Sequence, residues 1–207
     1  MNKILGFASS ALLAVSGAAN ANLVTNGDFE TGSLSGWSTN NLACTGVGTD
    51  YLSASGCFGQ DTNPGPHGGT QSLYLGNNSA AGLGTISQSI ATDAATTYTL
   101  SFWLANSTYQ EAAAPNEFKV TWNGETLLDL SNVGAFAYTN YTFDVVGAAN
   151  SSLLAFSDIQ SPSAWNLDDV NVGVAVAAVP EPSTYALMLT SLSVVGLVAR
   201  RRKNSAK

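Results

Sequence analysis

The chain has 207 residues, 45% hydrophobic and 10% charged, with a formal net charge of −7. That length suits one domain flanked by short terminal segments, and the acid excess argues against nucleic-acid or anionic membrane-surface partners, which need basic surface. A single histidine and two cysteines make a zinc site a poor reading.

The chain opens MNKILGFASSALLAVSGAANA. Lys3 supplies a positive start, Ile4 to Val15 a short apolar run, and Ala19-Asn20-Ala21 a small-residue cleavage site. That order predicts a secretory signal peptide over residues 1–21, cleaved after Ala21. The next stretch, NLVTNGDFETGSLSGWS, reads as a first strand and loop. Asn26, Asp28 and Glu30 follow one another at two-residue steps and so share one face of that strand, with Phe29 turned to the core. Cys44 and Cys57 lie in an exported chain, where a disulfide is the default. It would close a loop of about a dozen residues and contribute ~3 kcal/mol if unstrained. His67 sits in NPGPHGGTQS, a loop by composition. A serine or cysteine triad could run only through His67, and no G-x-S-x-G elbow accompanies it.

TYTLSFWLA predicts a strand with Tyr98, Leu100, Phe102 and Leu104 on one face and Thr97, Thr99, Ser101 and Trp103 on the other. EFKVTW repeats the pattern with Phe118, Val120 and Trp122 inward, and Asn123-Gly124 marks a hairpin turn into ETLLDL. YTFDVVG and SLLAFSDI continue the series. WNLDDVNVGV closes it with Val170 and Val172 inward, and Asp168 shares their parity. Short strands between Gly, Asn and Ser turns predict an all-β domain, a β-sandwich, over residues 22–178. Of the chain's 14 acids only Glu181 lies outside this stretch, and of its 7 Lys and Arg only Lys119 lies inside. The domain therefore carries thirteen acids against one base, a net charge of −12. Acidic oxygens without bases suit a hard cation such as calcium.

The chain closes VPEPSTYALMLTSLSVVGLVARRRKNSAK. Ser183 to Ala199 is an uncharged run of 17 residues. As a helix it would be about 25 Å long, near the lower limit for crossing a bilayer core of about 30 Å. It predicts a single C-terminal transmembrane helix, with Arg200, Arg201, Arg202 and Lys203 as a basic stop on the cytoplasmic side. The prolines bar Val179-Pro180-Glu181-Pro182 from a helix interior or a sheet ladder, so the motif is an extended, accessible strip just outside the membrane.

Motif, apolar span and basic cluster in this order resemble the PEP-CTERM sorting signal of Gram-negative bacteria, over residues 179–207. The resemblance implies a membrane-embedded exosortase as processing partner, which recognises the motif and removes the helix. The protein is then held only transiently at the inner membrane, and is released or moved to the cell surface or extracellular matrix. Such proteins accompany exopolysaccharide and biofilm matrix.

A second resemblance covers the body. NLVTNGDFETGSLSGWS, TISQSIATDAATTYTLSFWLAN and the closing WNLDDVNV are similar, in order, to the first, central and last strands of jelly-roll domains of the carbohydrate-binding-module and galactose-binding-like class. Similar jelly rolls often hold a structural calcium between first and last strands, which carries over to Glu30 and Asp168, with Asp28 beside them. The chemistry agrees with that implication. An inward Asp168 at a sheet margin is costly unless paired or metal-bound, and Lys119 is the domain's one base. The other reading has these carboxylates accepting hydrogen bonds from backbone amides near strand ends. No cofactor besides this calcium is expected.

Trp103 faces away from the predicted core among threonine and serine, where an exposed ring can stack on a sugar, with Asn106 and Tyr109 just beyond. The other reading packs Trp103 under a long loop. Trp37 and Trp165 suit structural roles near strand ends. The favoured function is a non-enzymatic extracellular binder or organiser of matrix polysaccharide; the alternative is a purely structural or protein-binding surface component. A glycosidase needs two carboxylates facing one cleft, and Asp168 and Asp169, adjacent on a strand, point to opposite faces.

Overall fold

The computed structural model describes residues 21–42, 44–48, 65–77, 82–106, 115–160 and 163–176. The predicted signal-peptide core, Cys57 and hence the Cys44–Cys57 pairing, Tyr109, the sorting motif, the transmembrane helix and its basic stop lie outside the described residues. Among the described residues no helix is long and apolar enough to cross a membrane. Residues up to Val174 form one unit and those from Ala175 another. The sandwich belongs to the first.

That unit is a jelly-roll β-sandwich of two antiparallel five-stranded sheets. In chain order the strands are β1 (Ser38–Asn40), β2 (Cys44–Gly48), β3 (Ser72–Gly76), β4 (Gly84–Thr92), β5 (Thr97–Asn106), β6 (Glu117–Trp122), β7 (Glu125–Ser131), β8 (Phe136–Val146), β9 (Asn150–Ile159) and β10 (Trp165–Val174). One sheet runs β1-β4-β9-β6-β7 and the other β2-β3-β10-β5-β8. The predicted alternation is what builds them. Tyr98, Leu100, Phe102 and Leu104 of β5 and Phe118, Val120 and Trp122 of β6 are all buried between the sheets. Asn123 and Gly124 both take positive φ, 51° and 83°, as a two-residue hairpin turn needs.

Aromatic rings tie the two layers together. Phe156 of β9 meets Phe102 of β5 edge-on at 5.2 Å, Phe118 at 6.1 Å and Trp37 at 6.0 Å. Trp165 packs on Phe118 at 5.4 Å and on Phe136 at 6.1 Å. Trp37 and Trp165 are thus core residues, each with its indole N–H donated to a backbone carbonyl, Asn26 O and Ile159 O.

Two expectations fail, each for a backbone reason. Residues 21–36 form turns and bends rather than a first strand. Asn26 and Phe29 sit at φ of 53° and 55°, which breaks the two-residue period, so Asp28 and Glu30 do not share a strand face. Phe29 still reaches the core and is fully buried. The segment instead docks along β10: Leu23 N–H donates to Val172 O at 2.8 Å and Val170 N–H to Gly27 O at 2.8 Å. First and last segments are neighbours, though not through a regular ladder.

The second failure is the parity of the last strand. β10 pairs with β5 as Asp168↔Trp103 and then Asn171↔Ser101, so two residues of β10 oppose Phe102 alone. Asp169 takes up the extra length at φ 50°, a bulge. Leu167, Val170 and Val172 face the core, while Asp168 lies on the outer face beside Trp103.

Replacing Phe156 by alanine removes the ring shared by both sheets. Urea unfolding should show a loss of about 3–5 kcal/mol; a loss below about 1 kcal/mol would mean that this contact does not hold the layers together.

Candidate functional site

Asp168, though on the outer face, is fully buried. The loop before β3 covers it, and the covering is built from hydrogen bonds. Asp168 Oδ2 accepts from His67 N at 2.9 Å and Gly68 N at 3.1 Å, and its Oδ1 accepts from Asp169 N at 2.8 Å. Burial pushes the Asp168 carboxyl up to about 6, against the lowering effect of the three amides. Glu30 holds the other end of the same loop. Its Oε1 accepts from Thr70 N at 2.7 Å and Gln71 N at 2.8 Å, and its Oε2 from the Thr70 hydroxyl at 2.8 Å. Those amides, then the hydroxyl, keep the exposed Glu30 carboxyl below its ordinary range. The loop's glycines fit this clamp: Gly69 sits at φ 57°, and a Cβ there would run into the Glu30 carboxylate.

Clamping the loop sets His67 over Trp103. The imidazole and indole are stacked at 3.9 Å and 17°. Tyr138 meets the imidazole edge-on at 5.2 Å and donates its hydroxyl to Gly65 O at 2.8 Å. Burial raises the Tyr138 phenol well above its ordinary pKa, so it remains a donor. His67 Nδ1 lies 2.7 Å from Asp169 Oδ2, both side chains being partly exposed. The result is a histidine–carboxylate dyad resting on two aromatic rings. Beside it opens a cleft of about 360 Å³, lined among others by Asn22, Asn26, Asp28, Asp169 and Asn171.

The predicted site residues separate in the structure. Trp103 is at the centre of the ring cluster. Asn106 is buried, its amide donating to Val133 O and Gly134 O at 3.2 Å each, so it serves the interior and does not flank an open platform. Asp28 is exposed at the cleft, and its Oδ1 accepts from Glu30 N at 3.4 Å. Glu30 and Asp168 clamp the same loop at different points. His67, Tyr138 and Asp169 were not foreseen as a group. A signal that could have found them is the glycine pair after His67, which permits the close approach seen at Gly68 and Gly69.

Calcium takes six to eight oxygens. A carboxylate has about four lone-pair sites, and three on Glu30 and three on Asp168 already face N–H or O–H donors. Among the described residues no three acidic, histidine or cysteine side chains converge as a cation cage. The Glu30 and Asp168 oxygens are engaged by N–H and O–H donors, and so engaged they do not fit a calcium ion.

Residues 178–203 match the PEP-CTERM protein-sorting motif, so the chain carries the sorting signal of an exported protein with a C-terminal anchoring segment. No curated protein matches the chain. Among solved structures it is similar to the module TmCBM61, solved in complex with β-1,4-galactotriose, at 14% identity and a TM-score of 0.52, covering 75% of this chain and 99% of that one. It is also similar to the CBM22-1 xylan-binding domain of Paenibacillus barcinonensis Xyn10C, at 19% identity and a TM-score of 0.47, covering 79% and 100%. These likenesses concern the fold.

A calcium ion held at a hundred times its Kd would raise the melting temperature by about 5–10 °C. The clamp predicts no change on adding calcium or a chelator. A chelator-induced drop of several degrees would restore the metal reading.

Proposed function

We propose that this is an exported, exosortase-processed surface or matrix protein whose sandwich binds or organises exopolysaccharide without catalysing a reaction. The sorting motif supports the export half. On this reading the signal peptide starts export and the apolar run holds the chain briefly in the inner membrane of a Gram-negative bacterium. An exosortase-type enzyme then recognises Pro180-Glu181-Pro182, and the domain passes to the cell surface or matrix.

The binding half is carried by one observation: Trp103, His67 and Tyr138 cluster on the outer face of a jelly-roll sheet beside the Asp169 carboxylate and a polar cleft. A sugar ring offers an apolar C–H face to an aromatic ring and hydroxyl donors to carboxylate and amide oxygens. The similar fold solved with β-1,4-galactotriose is in keeping with such a ligand. Charge narrows the choice. Lys119 is engaged by Asp129 at 3.3 Å and Glu117 at 3.8 Å, so a domain of net charge −12 would repel a polyanionic chain and accept a neutral one.

One observation favours the alternative, a purely structural or protein-binding component. His67 already covers one face of Trp103 at 3.9 Å. A sugar must then use the exposed dyad and cleft, or displace the loop.

Calorimetric titration of the purified protein with the producing organism's own exopolysaccharide separates the two. Saturable heat, weakened at least about tenfold (~1.4 kcal/mol) in a folded Trp103→Ala variant, is the expected outcome. A folded protein that gives no heat moves the assignment to the structural reading. For processing, the released protein should have an intact mass lacking the residues beyond the sorting motif. A tail still attached would refute exosortase cleavage.

A further inference from the structure

At the end of the sandwich away from Val174, polar side chains enter the core. Asp158, Gln160 and Asn77 are fully buried, and Asn106 and Asn116 nearly so. Their hydrogen bonds run from sheet to sheet. Asn77 N–H, just past β3, donates to Asp158 Oδ2 on β9 at 3.0 Å. Gln160 N–H donates to Asn77 O at 2.7 Å. Gln160 Nε2 donates to Asn106 Oδ1 at the end of β5 at 2.7 Å, and Asn106 Nδ2 donates to Val133 O and Gly134 O.

Two oxygens are left over. Asp158 Oδ1 and Gln160 Oε1 are buried and have no hydrogen-bond partner among the described residues. The orientation of the glutamine amide is forced. Asn106 turns its Nδ2 to two carbonyls, so its Oδ1 must accept, and only the Nε2 of Gln160 can supply that bond. Gln160 Oε1 is therefore an acceptor wherever it points. Asp158 near the end of β9 and Gln160 just past it are two residues apart in the chain, and both are fully buried. Two acceptors cannot satisfy each other, but one proton turns the pair into a donor and an acceptor.

We infer that Asp158 is held protonated in the folded domain and that its Oδ1–H donates to Gln160 Oε1, closing a polar bridge between the two sheets. An ionised Asp158 would instead be a buried charge supported by one amide, a costly state. Among the described residues no titratable side chain faces it. Gly84 of β4 and Phe118 of β6 are its cross-strand partners. Lys119 and Glu117 of β6 pair with each other on the opposite face, and β3 and β10 present Leu75, Trp165 and Leu167 inward. Burial raises the Asp158 carboxyl from its ordinary 3.8 to about 7, against the lowering effect of the Asn77 amide.

The sign of the pH dependence follows from that rise. The unfolded chain releases this proton near pH 3.8 and the folded one near 7. The stability tied to Asp158 is full below about pH 4, falls as pH rises toward 7 and levels off above it. The domain is thereby tightened by mild acid.

Asp158→Asn tests this, because its amide carries a permanent N–H for Gln160 Oε1 and keeps an oxygen for Asn77 N–H. Melting curves of the purified full chain at pH 4 and pH 8 are compared for wild type and variant. The variant should match the wild type at pH 4 and melt about 5 °C or more higher at pH 8. Differencing the two proteins cancels carboxyls common to both. A variant that melts below wild type at pH 8 overturns the proposal. The wild-type Asp158 carboxyl, followed by carbon-13 NMR, supplies a readout independent of the variant: titration near 7 supports the bridge, and titration near 4 refutes it.

Discussion

The extra residue that β10 carries opposite Phe102 of β5 decides what the outer face of the sandwich presents. With a regular ladder Asp168 would point into the core with Val170 and Val172. The bulge at Asp169 sends Asp168 outward while leaving Leu167 and Val170 in the core. It also aims Asp169 at His67. Loop position, ring stacking and cleft all depend on that one insertion, because each is measured from Asp168 or Asp169.

A domain with thirteen acids and one base must find other uses for its carboxylates. Two solutions appear. Glu30 and Asp168 accept backbone N–H groups and thereby pin a glycine-containing loop that no ladder holds. Asp158 sits deeper, has one such amide, and keeps a proton in place of a counter-charge. The difference is one of geometry. A loop can turn successive amides toward a single carboxylate, whereas strand amides are committed to their neighbours.

The ring cluster and the clamp are one structure. His67 is stacked on Trp103 because Asp168 holds its backbone amide and Asp169 its side chain. A polysaccharide that engaged this face would therefore meet a surface ordered beforehand, which lowers the entropy lost on binding. The same order explains why the surface also suits a purely structural role: the aromatic faces are already in contact with one another.

The sequence by itself determined the strand alternation and the sorting motif. Alternation in β5, β6 and β9 and the Asn123-Gly124 turn were legible because side-chain facing in a strand follows from a period of two, a local rule. The motif at 178–203 was legible because its three parts are contiguous. What the tertiary structure decided were the places where that period breaks or where distant segments meet. The turns at Asn26 and Phe29 removed the strand face that Asp28 and Glu30 would have shared, and the bulge at Asp169 reversed Asp168. The joining of His67 to Asp169 spans about a hundred residues. Side-chain facing is local and survives in the one-dimensional pattern; register and loop docking depend on which amides remain free after the sheets have formed, and that is settled only in three dimensions.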